Sequence, residues 1–401
     1  MQQDLLESPQ LANGFKAQLF PILFPTSIFF LNFLSRIILA PLMPTVELDL
    51  GISHGAAGSL FLLISVGYFA ALLASGFVSA RFLHRRTIVL STVSLGGALY
   101  LTAFSHGLFG MRCGMIFLGM AAGLYLPSGI ASITHLVDAR HWGKALAIHE
   151  MAPNLAFVAA PLLAECMLGW ISWRNVLIVL GSLTVAASIA FSRFGQGGDF
   201  PGSAPGFGAC KTLLILPAFW IMTVLFMLGI SSTLGIYTML PLFLVTTHGM
   251  DHSLANELIG LSRVLSIAMV LLAGVVNDRL GPKRTLMAVL LLSGTMTILL
   301  GLVTESWVIS MVFLQPLMAV SFFPPAFALL STVGPPEARN VSVSLTVPLG
   351  FMVGGGVMPL FIGFMGDRGS FAGGIVIVGG LILAGSLLSV FLTPHQENRG
   401  Q

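Results

Sequence analysis

Charge is what this sequence lacks most. Of 401 residues only 18 are Lys or Arg and 15 are Asp or Glu, 8% together. A soluble domain carries about a quarter charged residues, so a water-soluble fold is excluded; 56% hydrophobic content and a mean hydropathy of +0.96 indicate a polytopic membrane protein. Cysteine is scarce as well: Cys113, Cys166 and Cys210 are odd in number and suggest no disulfide or metal framework. The chain shows no Ser/His/Asp set, metal cluster or nucleotide loop, so neither an enzyme nor a cofactor is expected. Its net charge of +3 is spread through short loops rather than gathered on one face, which argues against a nucleic-acid partner. The start, Met1 to Glu7, has no basic head or small-residue cleavage site, so the first apolar run is expected to remain as a span.

What is present is a series of apolar runs, each near the roughly 20 residues that a membrane helix needs. Six are expected near 20–44, 56–80, 87–105, 107–136, 144–168 and 175–191. Six more are expected near 216–246, 254–276, 285–303, 307–333, 341–365 and 371–392. Between the sets lies a stretch rich in Gly and Pro that cannot span, which divides the chain into 1–195, a linker 196–212, and 213–401. The fold class is thus all-α, with twelve transmembrane helices in two six-helix bundles. Arg81, Arg85, Arg86, Arg140, Lys144, Arg193, Lys211, Arg279, Lys283, Arg284, Arg339 and Arg399 fall on one side of these spans, as does Lys16. By the positive-inside rule that side, with both termini and the linker, is cytoplasmic. Glu47, Asp49, Asp251, Glu257, Glu305 and Asp367 are expected outside the opposite face, and Trp170 and Trp173 are expected as anchors there.

One loop organises the rest. Gly274-Val-Val-Asn-Asp278-Arg279-Leu-Gly281-Pro-Lys283-Arg284 has a worn copy 198 positions earlier, Gly76-Phe-Val-Ser-Ala80-Arg81-Phe-Leu83-His84-Arg85-Arg86, in which the acid is Ala80 and the second glycine Leu83. Asp138-Ala-Arg140 likewise recurs as Glu337-Ala-Arg339, and Pro161-Leu-Leu as Pro359-Leu-Phe. The Gly-x-x-x-Asp-Arg-x-Gly-x-Lys-Arg spacing resembles the signature of the major facilitator superfamily, where it follows the second and eighth helices. That resemblance implies halves related by an axis along the membrane normal, with the substrate site between them near the midplane. It also implies gating by the loop residues Gly274, Asp278, Arg279, Gly281, Lys283, Arg284, Arg81 and Arg85, with Asp278 and Arg279 locking the cytoplasmic side against helix 5.

If paired positions build the scaffold, polar residues that break the repeat are better candidates for substrate chemistry. Shifted by 198, Arg36 meets Leu234, Arg263 meets Ser65, His149 meets Val347 and Glu150 meets Pro348. Arg36 should lie roughly 24 Å and Arg263 roughly 20 Å from the cytoplasmic end, at about 1.5 Å per residue. Each costs about 2.5–3.5 kcal/mol to insert, so each should face a partner or a wet cavity. The bland reading is a buried structural ion pair, or a side chain that snorkels toward the periplasm. The functional one is a clamp, because a guanidinium fork matches a planar carboxylate. Asn32, one turn before Arg36, adds a donor, and Tyr237 lies in a helix punctuated by Gly229, Gly235 and Pro241. Glu150, roughly 9 Å inside, is expected to be desolvated and to carry a coupled proton, or else to pair with Lys144 or Arg140. His149 is expected to pack, and Gln315 is open between the two readings.

The segment Asn32-Phe-Leu-Ser-Arg36 through Pro41 and Pro44 to Gly51 resembles the organic-anion and nitrate-type branches, which implies a substrate-binding role for Arg36. It also fits the Leu-x-x-x-x-x-x-Pro-x-x-Pro pattern of drug/proton antiporters. Against those, Ala156-Phe-Val-Ala-Ala160-Pro161 replaces their Gly-x-x-x-Gly-Pro. The expected function is transport of a small organic anion, a carboxylate, with protons. Efflux of drugs is the alternative, and a non-transporting receptor on the same fold the third. The partners expected are the anion, protons and the lipid bilayer of a bacterial inner membrane, with the protein a monomer.

Overall fold

Proline and glycine decide where the long apolar runs bend and where they touch. The computed structural model describes residues 15–203, 207–334 and 339–392; the stretch from Met1 to Glu7, the copy Glu337-Ala338 of the second repeat motif, and Arg399 lie outside them. Eleven helices among these residues are long and apolar enough to cross a membrane. In the first half they are α1 (Leu19–Leu50) and α2 (His54–Phe82), then, after α3 (His84–Ala103), α4 (Leu108–Leu136), α5 (Ala139–Leu168) and α6 (Trp173–Phe194). In the second they are α7 (Pro217–His248), α8 (His252–Leu280), α9 (Pro282–Leu302), α10 (Ser306–Leu330), α11 (Val341–Asp367) and α12 (Phe371–Phe391). The twelfth, α3, begins His-Arg-Arg and packs between α4 and α6. A short helix, Phe207–Leu214, occupies the end of the stretch expected as linker.

The packing is duplicated. α3 lies along α6 as α9 lies along α12, and α2 along α4 as α8 along α10. Two six-helix bundles result, as the repeat predicts. The loops α2–α3 and α8–α9 mark one face, here the motif side; Gly51, Gly249 and Gly369, all with positive φ, mark the turns of the far side.

The halves meet along two seams, α2 against α11 and α5 against α8, with the end of α1 against α7. Small residues allow this approach, as in other membrane helix contacts. A methyl group added to Gly58 would lie 2.5 Å from the Pro359 carbonyl oxygen and 2.8 Å from Leu360 Cα, and one on Gly356 3.0 Å from Leu62 Cα. On α8, Gly260 accepts the side chain of Leu162 and the ring of Pro161 from α5. Gly274, toward the motif side of α8, faces open space. Among the described residues, the hydrogen bonds and ring contacts between halves lie from Tyr68, Phe157 and Phe351 toward the far side, so the described conformation is sealed there.

Helix breaks coincide with polar residues. Pro41 has no N–H and its ring crowds the carbonyl four residues back, so α1 breaks at Ile38, just beyond Arg36. Pro127 does the same to α4, which breaks at Leu124. Two π-helical turns, Ser231–Gly235 in α7 and Val353–Val357 in α11, face one another, with Gly354 against the Ser231 backbone. Such turns widen a helix and often mark functional sites.

Candidate functional site

The break at Ile38 leaves Arg36 at the inner wall of the seam, only 7% exposed. Its guanidinium carbon lies 4.4 Å from the Tyr68 ring centre, 4.6 Å from Phe33 and 5.6 Å from Phe351, the last a residue of the other half. Beside it is a cavity of about 20 Å³ bounded by Ser65, Tyr68, Leu234, Phe351 and Gly355. That is room for about one water, so the site is contracted in this conformation. Leu234 and Gly355 come from the two π-helical turns, whose sequence signal was the glycine run Gly354-Gly355-Gly356 and the spacing of Gly229 and Gly235.

Arg263 is 4% exposed on α8. It lies 5.0 Å from the Phe157 ring, again across the seam, and 4.9 Å from Tyr237. The arginines do not share the small cavity. Rings join them instead: Phe33, on which Arg36 rests, meets Phe157 edge-on at 5.1 Å, and Phe157 meets Tyr237 at 4.8 Å. Among the described residues neither guanidinium has an ion pair. The Nε of each and the Tyr237 hydroxyl are buried without a hydrogen-bond partner. Cation–π contacts return about 2 kcal/mol or more each when desolvated, which offsets part of the several kcal/mol that a desolvated ion costs but supplies no negative charge. The arrangement therefore has unused capacity for negative charge.

Several expectations are changed by the geometry. Asn32 is partly engaged elsewhere: its amide donates one hydrogen to the Ala122 carbonyl at 3.1 Å, at the break in α4. Gln315 is structural, donating to the Ser232 carbonyl at 2.8 Å and to Thr297 at 3.2 Å, which braces the α7 π-turn. Glu150 is not buried within the protein; its side chain is 58% exposed. Arg140 does not pair with it, but holds Asp138 through bonds of 3.2 and 3.0 Å, which with the Arg140 backbone N–H lowers the Asp138 pKa to about 2. Trp173 is no interfacial anchor: it is 2% exposed and donates to Asp49.

His149 turns out to be Glu150's partner, at 3.4 Å from Nδ1 to Oε1. Neighbours on a helix diverge, but the His149 ring is fully buried, stacked 4.3 Å from Phe29, and its Nδ1 edge turns toward the carboxylate. The Tyr125 hydroxyl donates to the Pro25 carbonyl at 2.5 Å, so at 3.2 Å it can only accept from His149 Nε2. Nδ1 is then the proton-poor nitrogen of a neutral ring, and its contact with Glu150 needs one added proton on the pair.

The loop residues divide. Lys283 donates to the Val390 and Leu392 carbonyls, both at 2.7 Å, fastening α9 to the end of α12. Arg85 bonds Asp199 at 3.3 Å and the Ser192 carbonyl at 3.1 Å. Arg81, Arg284, Asp278 and Arg279 are exposed, and among the described residues Asp278 and Arg279 form no ion pair.

Two further carboxylates, missed in sequence, lie at the far side. Glu47, expected outside, is 9% exposed and bonds His54 Nδ1 at 2.8 Å. Glu165 approaches His252 Nδ1 at 3.4 Å and accepts from Asn256 at 3.3 Å, both across the α5–α8 seam. The signal was present: His54 and His252 are 198 positions apart, but residues that keep the repeat were read as scaffold.

Twelve helices in two repeated bundles, with buried cations where the bundles meet, define a membrane transporter architecture. The family model for the Major Facilitator Superfamily matches residues 26–270 and 252–401, and the chain belongs to that superfamily. It is 21% identical over 399 residues to a probable sulfoacetate transporter, SauU, of Cupriavidus necator, covering 91% of each chain. A 148-residue stretch, 36% of this chain and 37% of the relative, is 31% identical to the purine ribonucleoside efflux pump NepI of Salmonella typhimurium. Among solved structures, a bacterial homologue of the human lysosomal transporter Spinster, inward-facing and occupied, superposes with a TM-score of 0.78 at 14% identity, over 96% of this chain and 97% of that one. A mutant of the nucleoside transporter NupG gives 0.74 at 12%, over 92% and 99%.

Proposed function

We propose that this transporter carries a small organic anion, a carboxylate or sulfonate, by alternating access coupled to protons. The observation that carries the reading is the pair of buried guanidinium groups, one from each half, resting on rings and lacking a carboxylate among the described residues. An anion between the halves would exchange weak ring contacts for charge-assisted hydrogen bonds and draw the two arginines together. The 21% identical relative is named as a probable transporter of sulfoacetate, an anion of this class. In this reading the motif side is cytoplasmic, the membrane is a bacterial inner membrane, and the described conformation is inward-facing. Tyr237 is the hydroxyl donor of the site, and Glu150 with His149 holds the coupled proton at the cytoplasmic mouth.

Proteoliposome uptake tests this across sulfoacetate, small carboxylates, a purine ribonucleoside and a lipophilic cation, with and without an imposed pH gradient. The expected result is saturable uptake of one or more of the anions, stimulated by a gradient that is acid on the far side. Uptake of the nucleoside or the cation alone would favour efflux, the reading that the 31% identical stretch supports, and no flux of any solute would favour a receptor. Glu150→Gln should abolish accumulation against a gradient while sparing exchange at equal concentrations; undiminished accumulation would remove the pair from the mechanism.

A further inference from the structure

The far ends of α5 and α8 hold a cluster that the anion site does not use. His252 Nε2 lies 2.9 Å from the Pro41 carbonyl oxygen of α1. A carbonyl only accepts, so Nε2 carries a hydrogen and Nδ1 is the proton-poor nitrogen of the neutral ring. That Nδ1 faces Glu165 Oε2 at 3.4 Å. A neutral imidazole and an ionised carboxylate would oppose lone pair to lone pair there. One added proton, drawn on either atom, turns the contact into a hydrogen bond. Asn256, fully buried one turn along α8, closes the cluster by donating to Glu165 at 3.3 Å and to Pro41 at 3.4 Å.

We propose that His252 and Glu165 form a proton-binding site across the α5–α8 seam, filled when the far side is sealed and emptied when it opens. The inference rests on the alternating-access reading, but on neither the substrate nor the Glu150 pair. Pro41 and Glu165 belong to the first half and His252 to the second, so opening the seam parts them, water reaches each, and the shared proton is no longer required. The sealed state therefore binds one proton more than the open state, so acid favours the seal and alkali the opening. For one proton, the ratio of open to sealed changes by up to about tenfold per pH unit.

The groups that face His252 are few. Among the described residues, those in hydrogen-bond or ion-pair range of its ring are the Pro41 carbonyl from α1, Glu165 from α5 and, on α8, the Asn256 amide at 3.5 Å; the neighbouring cap residue Asp251 accepts from the Ser253 and Leu254 backbones. α7 ends four residues earlier at His248. Among the described residues Glu165 forms no ion pair with Lys or Arg. The repeat supplies an internal control. His54 occupies the matching position, but its carboxylate, Glu47, lies in the same half. That pair does not depend on the seam for its partner, although Asp367 of the second half, which accepts from Ser53 and the Gly55 backbone, also faces it, so His54→Gln should weaken the pH response less than His252→Gln.

The test is a distance measurement between nitroxides at Leu48→Cys and Leu302→Cys, exposed far-side positions on opposite halves. The full chain in nanodiscs is used, with Cys113, Cys166 and Cys210 replaced by serine, between pH 5.5 and 8. The expected result is a long-distance population that grows with pH, and whose growth is lost in both His252→Gln and Glu165→Gln. Gly58→Leu, which wedges the α2–α11 seam, serves as a pH-independent opener. A lengthened distance in Gly58→Leu without any pH response in the parent, or a full response in both glutamine variants, overturns the proton site and leaves alternating access standing. No lengthening in Gly58→Leu and none with pH overturns both.

Discussion

The two copies of the organising loop adopt one backbone shape with opposite sequence means. Gly281, between α8 and α9, has φ 82° and ψ 152°; Leu83, between α2 and α3, has φ 66° and ψ 156°. Glycine takes this region freely, whereas a leucine there costs on the order of 1–3 kcal/mol and persists only if its surroundings hold it. What holds Leu83 is the stretch after α6. The His84 and Arg85 backbones donate to Phe200 and Gly198, Gly202 donates to Ser79, and Phe200 packs its ring against His84 and His135. The second loop has no such cover among its described contacts. It keeps its glycine and its acid, and Asp278 and Arg279 are exposed. The worn copy is therefore anchored through its backbone, whereas the intact copy is tied among its described contacts through the Lys283 side chain and leaves Asp278 and Arg279 exposed.

The sharpest asymmetry between the halves is in the arginines, and breaking it should have the largest effect. Arg36→Ala and Arg263→Ala should each lower anion uptake by about tenfold to a hundredfold, the loss expected for a charge-assisted hydrogen bond of roughly 1.5–3 kcal/mol. Lysine at either position should recover little, because the planar fork is lost. If one alanine variant alone were harmless, the clamp would reduce to a single arginine with the other as scaffold. Initial uptake rates, normalised to protein in the liposome, decide this.

Next in size is the exchange of loop residues. Gly281→Leu forces a side chain into the strained region without the cover that Leu83 enjoys, and should destabilise the purified protein by about 1–3 kcal/mol. Leu83→Gly relieves the strain but frees the unfolded chain, two effects of about 1 kcal/mol that offset each other. Thermal unfolding in detergent should thus show a clear loss for the first and little change for the second. Equal losses would mean that Leu83 is held by packing and not tolerated at a cost.

Much of this was legible beforehand because it rests on period and offset. Apolar run length gives the spans, the 198-residue offset gives the paired bundles, and an arginine in an apolar run has few places to go but the interface between them. What was not legible depends on groups meeting across the fold. Glu165 and His252 are 87 positions apart in different halves, and nothing local to either announces the other. Glu150 was placed at a fair depth, but depth along a helix does not tell how exposed a side chain is, and Glu150 is more than half exposed. Asn32 shares a helical face with Arg36, yet the break that Pro127 makes in α4 claims its amide. Leu83 was recognised as a lost glycine. That the backbone had kept the glycine's conformation needed coordinates.

The smallest effect should come from the intact loop's acid. In the described conformation Asp278 forms no ion pair among the described residues, and Gly274, one turn earlier on α8, faces open space. Asp278→Ala thus removes little here. If Asp278 and Arg279 close the motif side against α5 when the far side opens, the substitution acts on that other state and raises the share of the conformation seen here. A partly exposed ion pair is worth up to about 1 kcal/mol, so the shift should be about two- to fivefold. Ala80→Asp, in the anchored copy, should shift nothing, since its loop is already tied to the stretch after α6. Reaction of a far-side cysteine with a membrane-impermeant maleimide reads the difference: it should slow in Asp278→Ala and match the parent in Ala80→Asp. Equal slowing in both would make the two loops equivalent locks despite their sequences, and no slowing in either would leave Asp278 without a part in closing the motif side.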